Sequence, residues 1–390
     1  MAQPSSWDEQ TFVAEVLRSS PRLQGLRQEA ALVEAEAVGV GAWENPSLGW
    51  EREGGTAQSQ DQLSLSLPVA LSGRRGLQQE AAQLRARSAQ AGLEQQRWEL
   101  ELTAVRSFAA VRGAEERSRI LTGSHQSLTR LAEAITARER AGDAAGYERL
   151  RIELEAAAVD GQQQQAVLER SLARAQAQSL LGTRPLPALH GELAAPRPLD
   201  TTVPEEQTLL DQRGDLRALG LEADAAGRAA QAAGRAWIPE PTLSGGLLRQ
   251  ESGGGSQLGY VAGISLPLPV FQRGQADEAR ASAQRALAQA RGTTLLQTAR
   301  AQLVAVAAEA GGRREQLGHH REQVLARATR LNQIAHAAYR GGAGDLLVLV
   351  DAERAWREAR LREVELAVEV VAAETRWLAL VGSAAQAVSR

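Results

Sequence analysis

Two hydrophobic patterns follow each other along this chain, and the first has the short period of a β-strand. Apolar residues take every second position, with glycine, serine or other polar residues between them, in segments 47–53, 63–69, 243–251 and 258–266. Such alternation is typical of strands with one apolar face. Glycine-containing turns separate the two segments of each pair. The pattern therefore predicts two β-hairpins, within residues 45–71 and 241–270, with strands of about 8 to 11 residues.

The second pattern is helical and far longer. Residues 74–140 contain no proline and carry apolar residues at helical spacing, which predicts a helix of about 100 Å. Such a helix needs partners beside it, because ordinary globular helices run about 8 to 20 residues. Further helices are predicted over residues 8–42 (with a break near Pro21), 147–181, 207–236, 276–340 and 345–381, and a proline-rich connector over 182–204.

The order of these elements occurs twice. Ser66-Leu67-Pro68 lies 199 residues before Ser265-Leu266-Pro267, and Leu181-Gly182 lies 200 residues before Val381-Gly382. The glycines of two predicted turns, Gly142 and Gly342, are also 200 residues apart. This spacing predicts an internal duplication, with a first repeat over residues 1–200 and a second over 205–390, intertwined in a single protomer.

The strands are too few and too weakly apolar to form a globular β core. Their length suits tilted strands that cross a bilayer. A sheet in lipid must close on itself, because open edges leave backbone groups without hydrogen bonds. Four strands do not close a wide barrel, whereas three copies would supply twelve. We therefore expect a mainly α protein whose long antiparallel helices form an α-barrel and whose hairpins share a 12-stranded transmembrane β-barrel in a homotrimer.

Composition excludes several other classes of protein. Aromatic residues make up 3% of the chain, which suits long helices better than a thick core. The formal net charge is −3 with both signs interspersed, so nothing indicates nucleic-acid binding. Cysteine is absent, which excludes disulfides and thiolate metal sites. No signal peptide is visible, and the start at Ala2-Gln3 is compatible with a mature N-terminus after its removal.

These residues resemble the TolC-like outer membrane efflux proteins. The resemblance rests on Asn45-Pro46, on Leu67-Pro68-Val69 followed by Gly73-Arg74-Arg75, and on the turns at Gly142 and Gly342. The segment from Ile264 to Gln275 is most similar to the heavy-metal branch of the CzcC/CusC type. The resemblance implies a passive trimeric conduit across the outer membrane and the periplasm. It also implies a periplasmic adaptor and an inner-membrane pump of the resistance–nodulation–division class as partners.

The resemblance also implies roles for particular residues. Members of the family often close the periplasmic end with aspartate rings: Asp351 takes one such position, Val348 departs from the other, and Tyr339 matches a tyrosine of the closed state. Arg151 is the first-repeat equivalent of Asp351, and we predict that the two pair near the aperture. Helical tips would contact the adaptor through Gly142, Asp143, Gly146, Tyr147, Gly341, Gly342, Gly344 and Asp345.

Aromatic residues cluster near the predicted strand ends, at Trp43, Trp50, Trp237, Tyr260 and Phe271. Two interpretations are open at this stage. The residues form an interfacial belt in a membrane, or they pack between hairpin and helix.

Chemistry-bearing residues do not converge on a catalytic or metal site. The five histidines, His125, His190, His319, His320 and His336, lack the spacing of a ligand pair, and we interpret them as solvated or core residues. The carboxylates are spread along helices with arginine at i+3 or i+4, as in Glu353 and Arg357, and are interpreted as solvated faces. We therefore expect no enzyme, cofactor or bound metal.

The leading hypothesis is the outer membrane channel of a tripartite efflux system, carrying heavy-metal cations or small toxic compounds. A type I secretion conduit, which exports proteins, would share the fold. From another class, a structural coiled-coil protein is the alternative, although such a protein does not need the paired hairpins.

Overall fold

The computed structural model describes residues 6–40, 42–54, 58–140, 146–193, 200–252 and 255–382. Most of them are helical, and a small sheet accompanies the helices, as the sequence predicts. No helix in these ranges is both long and apolar enough to cross a membrane. The helices are α1 (Glu9–Ser19), α2 (Pro21–Val40), α3 (Arg74–Arg140), α4 (Gly146–Leu180), α5 (Glu206–Gln212), α6 (Gly214–Gly234), α7 (Gln275–His319), α8 (Ala326–Arg340) and α9 (Leu346–Val381).

The chain forms two compact units, and each half of the sequence contributes to both. Unit 1 comprises Met1–Gly25, Gln95–Arg213 and Thr298–Arg390. Unit 2 comprises Leu26–Glu94 and Gly214–Gln297. The duplication inferred from the spacing of motifs stays a prediction.

Unit 2 contains a four-stranded antiparallel sheet. Its strands are β2 (Ser47–Gly54), β3 (Gln58–Pro68), β5 (Thr242–Ser252) and β6 (Gly255–Ser265), in the order β2-β3-β5-β6. The two predicted hairpins are β2–β3 and β5–β6, and β3 pairs with β5 to join them. Within the described residues, β2 and β6 are therefore edge strands.

Unit 1 has a helical core that runs along three helices. Apolar residues of α3 and α4 meet the first turns of α9 in one buried cluster, formed by Leu121, Leu128, Ile135, Ile152, Val159, Ala166, Leu346 and Val350. The members on α3 and those on α4 are spaced seven residues apart, which keeps the apolar seam of a long helix facing its neighbours, and the two on α9 are four residues apart. The α3–α4 pair thus has the side-by-side packing that its length requires.

Three features of the backbone differ from the sequence prediction. The helix predicted over 207–236 is two helices, because Arg213 is extended and its buried side chain donates to the carbonyl oxygen of Leu380 at 3.2 Å. The helix predicted over 276–340 is interrupted by a π-helical turn at His320–Leu325. A short parallel ladder of β1 (Ser6–Trp7) and β4 (Ala188–Leu189) was not predicted, because two-residue strands have no period to detect.

Candidate functional site

One face of the sheet is apolar and exposed along its length. The strand register places Leu67, Leu243 and Ile264 in one row across the sheet. Two residues further along the strands, Leu65 pairs with Leu48 in the next row. We call this the apolar face; its large side chains, all exposed, are Leu48, Trp50, Leu63, Leu65, Leu67, Leu243, Leu247, Leu258, Tyr260 and Ile264.

The opposite face carries small and polar residues. Its positions across the four strands are occupied mainly by serine, glycine and glutamine. A side chain at Gly246 would lie 2.3 Å from the carbonyl oxygen of Leu63, so glycine is required there. The sheet is therefore amphipathic. Its apolar face is exposed to solvent in a single chain.

The apolar face ends at a row of charged residues near the turns of the two hairpins. Arg52, Asp61 and Arg249 are neighbours across three strands, and Arg52 lies 3.7 Å from Asp61. Trp50 and Tyr260 occupy the row directly before it, and Tyr260 is 85% exposed. Aromatic side chains thus lie where the apolar surface gives way to charge, which is the position they take at membrane–water interfaces.

The other three predicted aromatics follow or precede the strands at their opposite ends. Trp43 lies four residues before β2, Trp237 five residues before β5, and Phe271 six residues after β6. All three are exposed, with Phe271 at 89%, and Arg75 lies 5.0 Å from the ring centroid of Trp43. Most of each of these three side chains is therefore uncovered in a single chain.

The helical tip between α8 and α9 is closed by glycines. Gly342 has φ +74°, a left-handed conformation that favours glycine, and its amide donates to the carbonyl oxygen of Tyr339. A side chain at Gly344 would lie 2.8 Å from the amide nitrogen of Tyr339. Asp345 then caps α9 by accepting from the amide of Leu347 at 3.2 Å.

The second tip is described only in part. Gly142 and Asp143 lie outside the described residues. Gly146 begins α4, and the side chain of Tyr147 is exposed.

In the α8–α9 tip, Gly341 is the C-cap residue of α8.

The predicted aperture residues fall near the α8–α9 tip without forming one cluster. Tyr339 packs against the buried core, and its hydroxyl accepts from Arg138 at 3.5 Å. Val348 and Asp351 are exposed, and Arg151 is half-buried. Among the described residues no ion pair joins Arg151 to Asp351. The ion pairs between α4 and α9 are made instead by Glu155 with Arg354 and Arg357.

This Glu155 cluster was missed at the sequence level. Arg357 is 4% exposed and donates to Glu155 at 2.8 Å and to the Ser124 hydroxyl at 3.2 Å, while Arg354 also pairs with Glu155. Burial by itself raises the pKa of Glu155, but the hydrogen bonds and charges of the two arginines outweigh burial and hold that pKa below its ordinary value.

The interpretation of Glu353 and Arg357 as a solvated i+4 pair is wrong. Both are buried, and each is bound to another helix. Glu353 accepts from Ser127 at 3.4 Å and lies 2.6 Å from Nε2 of His336. No three histidine, cysteine, aspartate or glutamate side chains of the described ranges come together as a metal ion requires.

Comparison with known proteins places this arrangement in context. A family model described as outer membrane efflux protein matches residues 206–383. Curated protein sequences give no match. Among solved structures, CusC superposes with a TM-score of 0.78 at 18% identity, over 98% of this chain and 95% of that chain.

Two further structures are described as outer membrane channels. OprN superposes with a TM-score of 0.72 at 22% identity, over 97% of this chain and 90% of that chain. The open state of MtrE from Neisseria gonorrhoeae superposes at 0.74 and 18% identity, over 96% and 89%. These TM-scores establish a shared fold over nearly the whole chain.

Proposed function

We propose that this chain, which resembles the TolC-like outer membrane efflux proteins in its fold and in the family match over residues 206–383, is the outer membrane channel of a tripartite efflux system. The resemblance seen in the sequence is confirmed, the CusC likeness fits its heavy-metal branch, and the matched family consists of transport conduits, not enzymes. The observation that carries the proposal is the exposed apolar face on a sheet with two free edges.

The free edges argue for assembly with identical copies. A sheet that meets lipid needs every backbone group paired, so β2 and β6 each require a partner strand. All neighbours in the sheet are antiparallel, and the number of strands is even. In a ring of identical copies, the β6 strand of one copy therefore runs antiparallel to the β2 strand of the next copy. The alternation of strand directions then continues around the whole ring. Three copies would close a 12-stranded barrel with the small and polar residues inside.

The surface of the sheet supports the outer membrane as its location. The apolar face would meet the acyl chains, and the Arg52–Asp61–Arg249 row would mark one boundary of the lipid. Trp50 and Tyr260 would lie at that boundary, while Trp43, Trp237 and Phe271 would lie at the other, in the periplasmic interface.

The helical tips supply the proposed contacts with a periplasmic adaptor. The α8–α9 tip presents compact glycine turns with an exposed Val348, and α4 begins with an exposed Tyr147. An inner-membrane pump of the resistance–nodulation–division class would provide the energy, and heavy-metal cations or small toxic compounds would be the cargo. The gate would lie beside the tips, where Asp351 exposes its carboxylate.

The conductance of the purified protein in planar bilayers tests this function. We expect discrete steps from the wild-type protein and larger steps from Asp351→Ala, because removing exposed carboxylates weakens the closure of the aperture. Glu365→Ala, which removes an exposed carboxylate further along α9, serves as the control and should leave the step size unchanged. Folded protein without any steps would contradict the channel, and equal steps for Asp351→Ala and wild type would contradict the gate.

A further inference from the structure

Unit 2 contains a cavity whose wall carries both arginine and glutamate side chains. Its volume is about 320 Å³, and it lies where β3 leads into α3, beside the segments that precede β2 and β5. We call it the α3 cavity; its polar lining consists of Glu44, Arg74, Arg75, Gln78 and Glu240. A cavity of this size holds a small ligand or the polar end of a larger one.

The two arginines of the α3 cavity are not neutralised by the chain. Both are half-buried, and in the described ranges neither forms an ion pair with a carboxylate. Arg75 instead lies 5.0 Å from the ring centroid of Trp43, which is 71% exposed. A guanidinium that is held by an aromatic ring keeps its N–H donors available for an anion, and its fork geometry suits phosphate.

The carboxylates of the cavity differ in their engagement. Glu240 accepts a hydrogen bond from the buried hydroxyl of Ser72. Glu44 is exposed and forms no ion pair with any residue that the structure describes. The same cavity therefore offers donors to an anion and an acceptor to a cation, so a zwitterion matches it better than a simple anion does.

The cavity adjoins the apolar face at the end remote from the hairpin turns. Val69, in its wall, lies two residues after Leu67, and alternation along the strand places both on the same side. The amide of Val69 donates to the carbonyl oxygen of Pro241 at 2.9 Å, so the pairing of β3 with β5 extends into the wall. A ligand with long apolar chains would therefore find the apolar face directly beside its polar group.

We propose that the α3 cavity binds the head group of a zwitterionic phospholipid with a primary ammonium group, as in phosphatidylethanolamine. Arg74 and Arg75 hold the phosphate, Glu44 accepts from the ammonium group, and the acyl chains run along the apolar face. The inference rests on the proposed function, because it needs the apolar face to contact lipid. Such a lipid would hold each chain at a fixed depth in the periplasmic leaflet.

Native mass spectrometry of the purified full-length protein in detergent tests the site. The protein is incubated with phosphatidylethanolamine, phosphatidylglycerol or phosphatidylcholine of identical acyl chains, and the lipids bound per chain are counted over a range of concentrations. We expect phosphatidylethanolamine to bind about tenfold more tightly than phosphatidylcholine, because a quaternary ammonium group has no N–H to donate to Glu44. Equal affinities for these two lipids would contradict the proposed head group.

Variants assign the binding to the cavity. Arg74→Gln and Arg75→Gln should each weaken the binding of phosphatidylethanolamine about tenfold, since each removes a charge-assisted bond to the phosphate. Glu44→Gln should lower the affinity for phosphatidylethanolamine and leave that for phosphatidylglycerol, which has no ammonium group, unchanged. Arg85→Gln is the matched control, because Arg85 is an exposed arginine of the same helix outside the cavity, and it should bind as the wild type does.

Glycerophosphoethanolamine, which has the head group without the acyl chains, distinguishes a lipid from a soluble phosphate ester. At equal concentration it should displace no lipid, and full displacement would contradict a lipid as the ligand. Wild-type affinity in both Arg74→Gln and Arg75→Gln would overturn the site, as would an equal loss in Arg85→Gln. Conductance steps in bilayers of phosphatidylcholine alone do not depend on this lipid, so a failed lipid experiment would leave the proposed function standing.

Discussion

Replacing Leu65 with arginine should prevent the protein from assembling in the membrane. Leu65 lies in the middle of the apolar face, between Leu48 on one neighbouring strand and Gly245 on the other. An arginine near the bilayer midplane costs about 2–4 kcal/mol per chain, and a trimer would carry three. We expect the outer membrane fraction to contain no heat-modifiable oligomer of this variant.

A polar position of β3 provides the control for that experiment. Gln62 lies on the opposite face of the same strand, paired with Glu51 and Leu248. Gln62→Arg adds the same charge to the same strand and should assemble like the wild type, because this face would line the water-filled interior. If both variants assemble equally well, the apolar face does not contact lipid.

Replacing Arg357 with leucine should lower the free energy of unfolding by about 3–5 kcal/mol, because the buried carboxylate of Glu155 loses its buried partner. Arg354 does not compensate, since its side chain is nearly half exposed. The shift in the denaturation midpoint of the detergent-solubilised protein measures the effect. Arg362→Leu, which breaks a more exposed pair with Glu365 on the same helix, should cost about 0–1 kcal/mol.

The double variant Glu155→Leu/Arg357→Leu separates a lost ion pair from lost packing. It should be more stable than Arg357→Leu, because no buried charge is left unpaired. The wild-type contribution should persist above the ordinary pKa of a glutamate and disappear as the pH falls through the lowered pKa of Glu155. If the double variant is as unstable as the sum of the single variants, the ion pair is not the cause.

The sequence alone predicts those elements whose periodicity is uninterrupted. The structure has α3 at Arg74–Arg140, as the proline-free stretch indicates, because nothing in that segment competes with the helix. The strands are equally predictable. Alternation of apolar and polar residues over 8 to 11 positions indicates both a strand and the face of the sheet that is apolar.

The polar clusters of unit 1 could not be predicted in the same way. Alanine occurs on several sides of the long helices, so their sequences do not define which face is buried. Glu353 and Arg357 have the spacing of a solvated pair, and only the packing of α3, α4 and α8 around α9 turns them towards other partners. The π-helical turn at His320–Leu325 likewise contains no proline or glycine from which it could be predicted.

Disulfide crosslinking between the two edge strands tests the central claim most directly. The chain has no cysteine, so an introduced pair reacts without background. Glu51→Cys in β2 would be combined in turn with Gln257→Cys, Gly259→Cys or Val261→Cys in β6, because closing a barrel staggers the strands. The internal pair Gln62→Cys and Leu248→Cys, on the neighbouring strands β3 and β5, is the control and should crosslink within one chain.

Our account predicts that at least one edge pair gives oxidised dimers and trimers in membranes and nothing larger. Only monomers from every edge pair, in a protein whose internal pair oxidises fully, would contradict it.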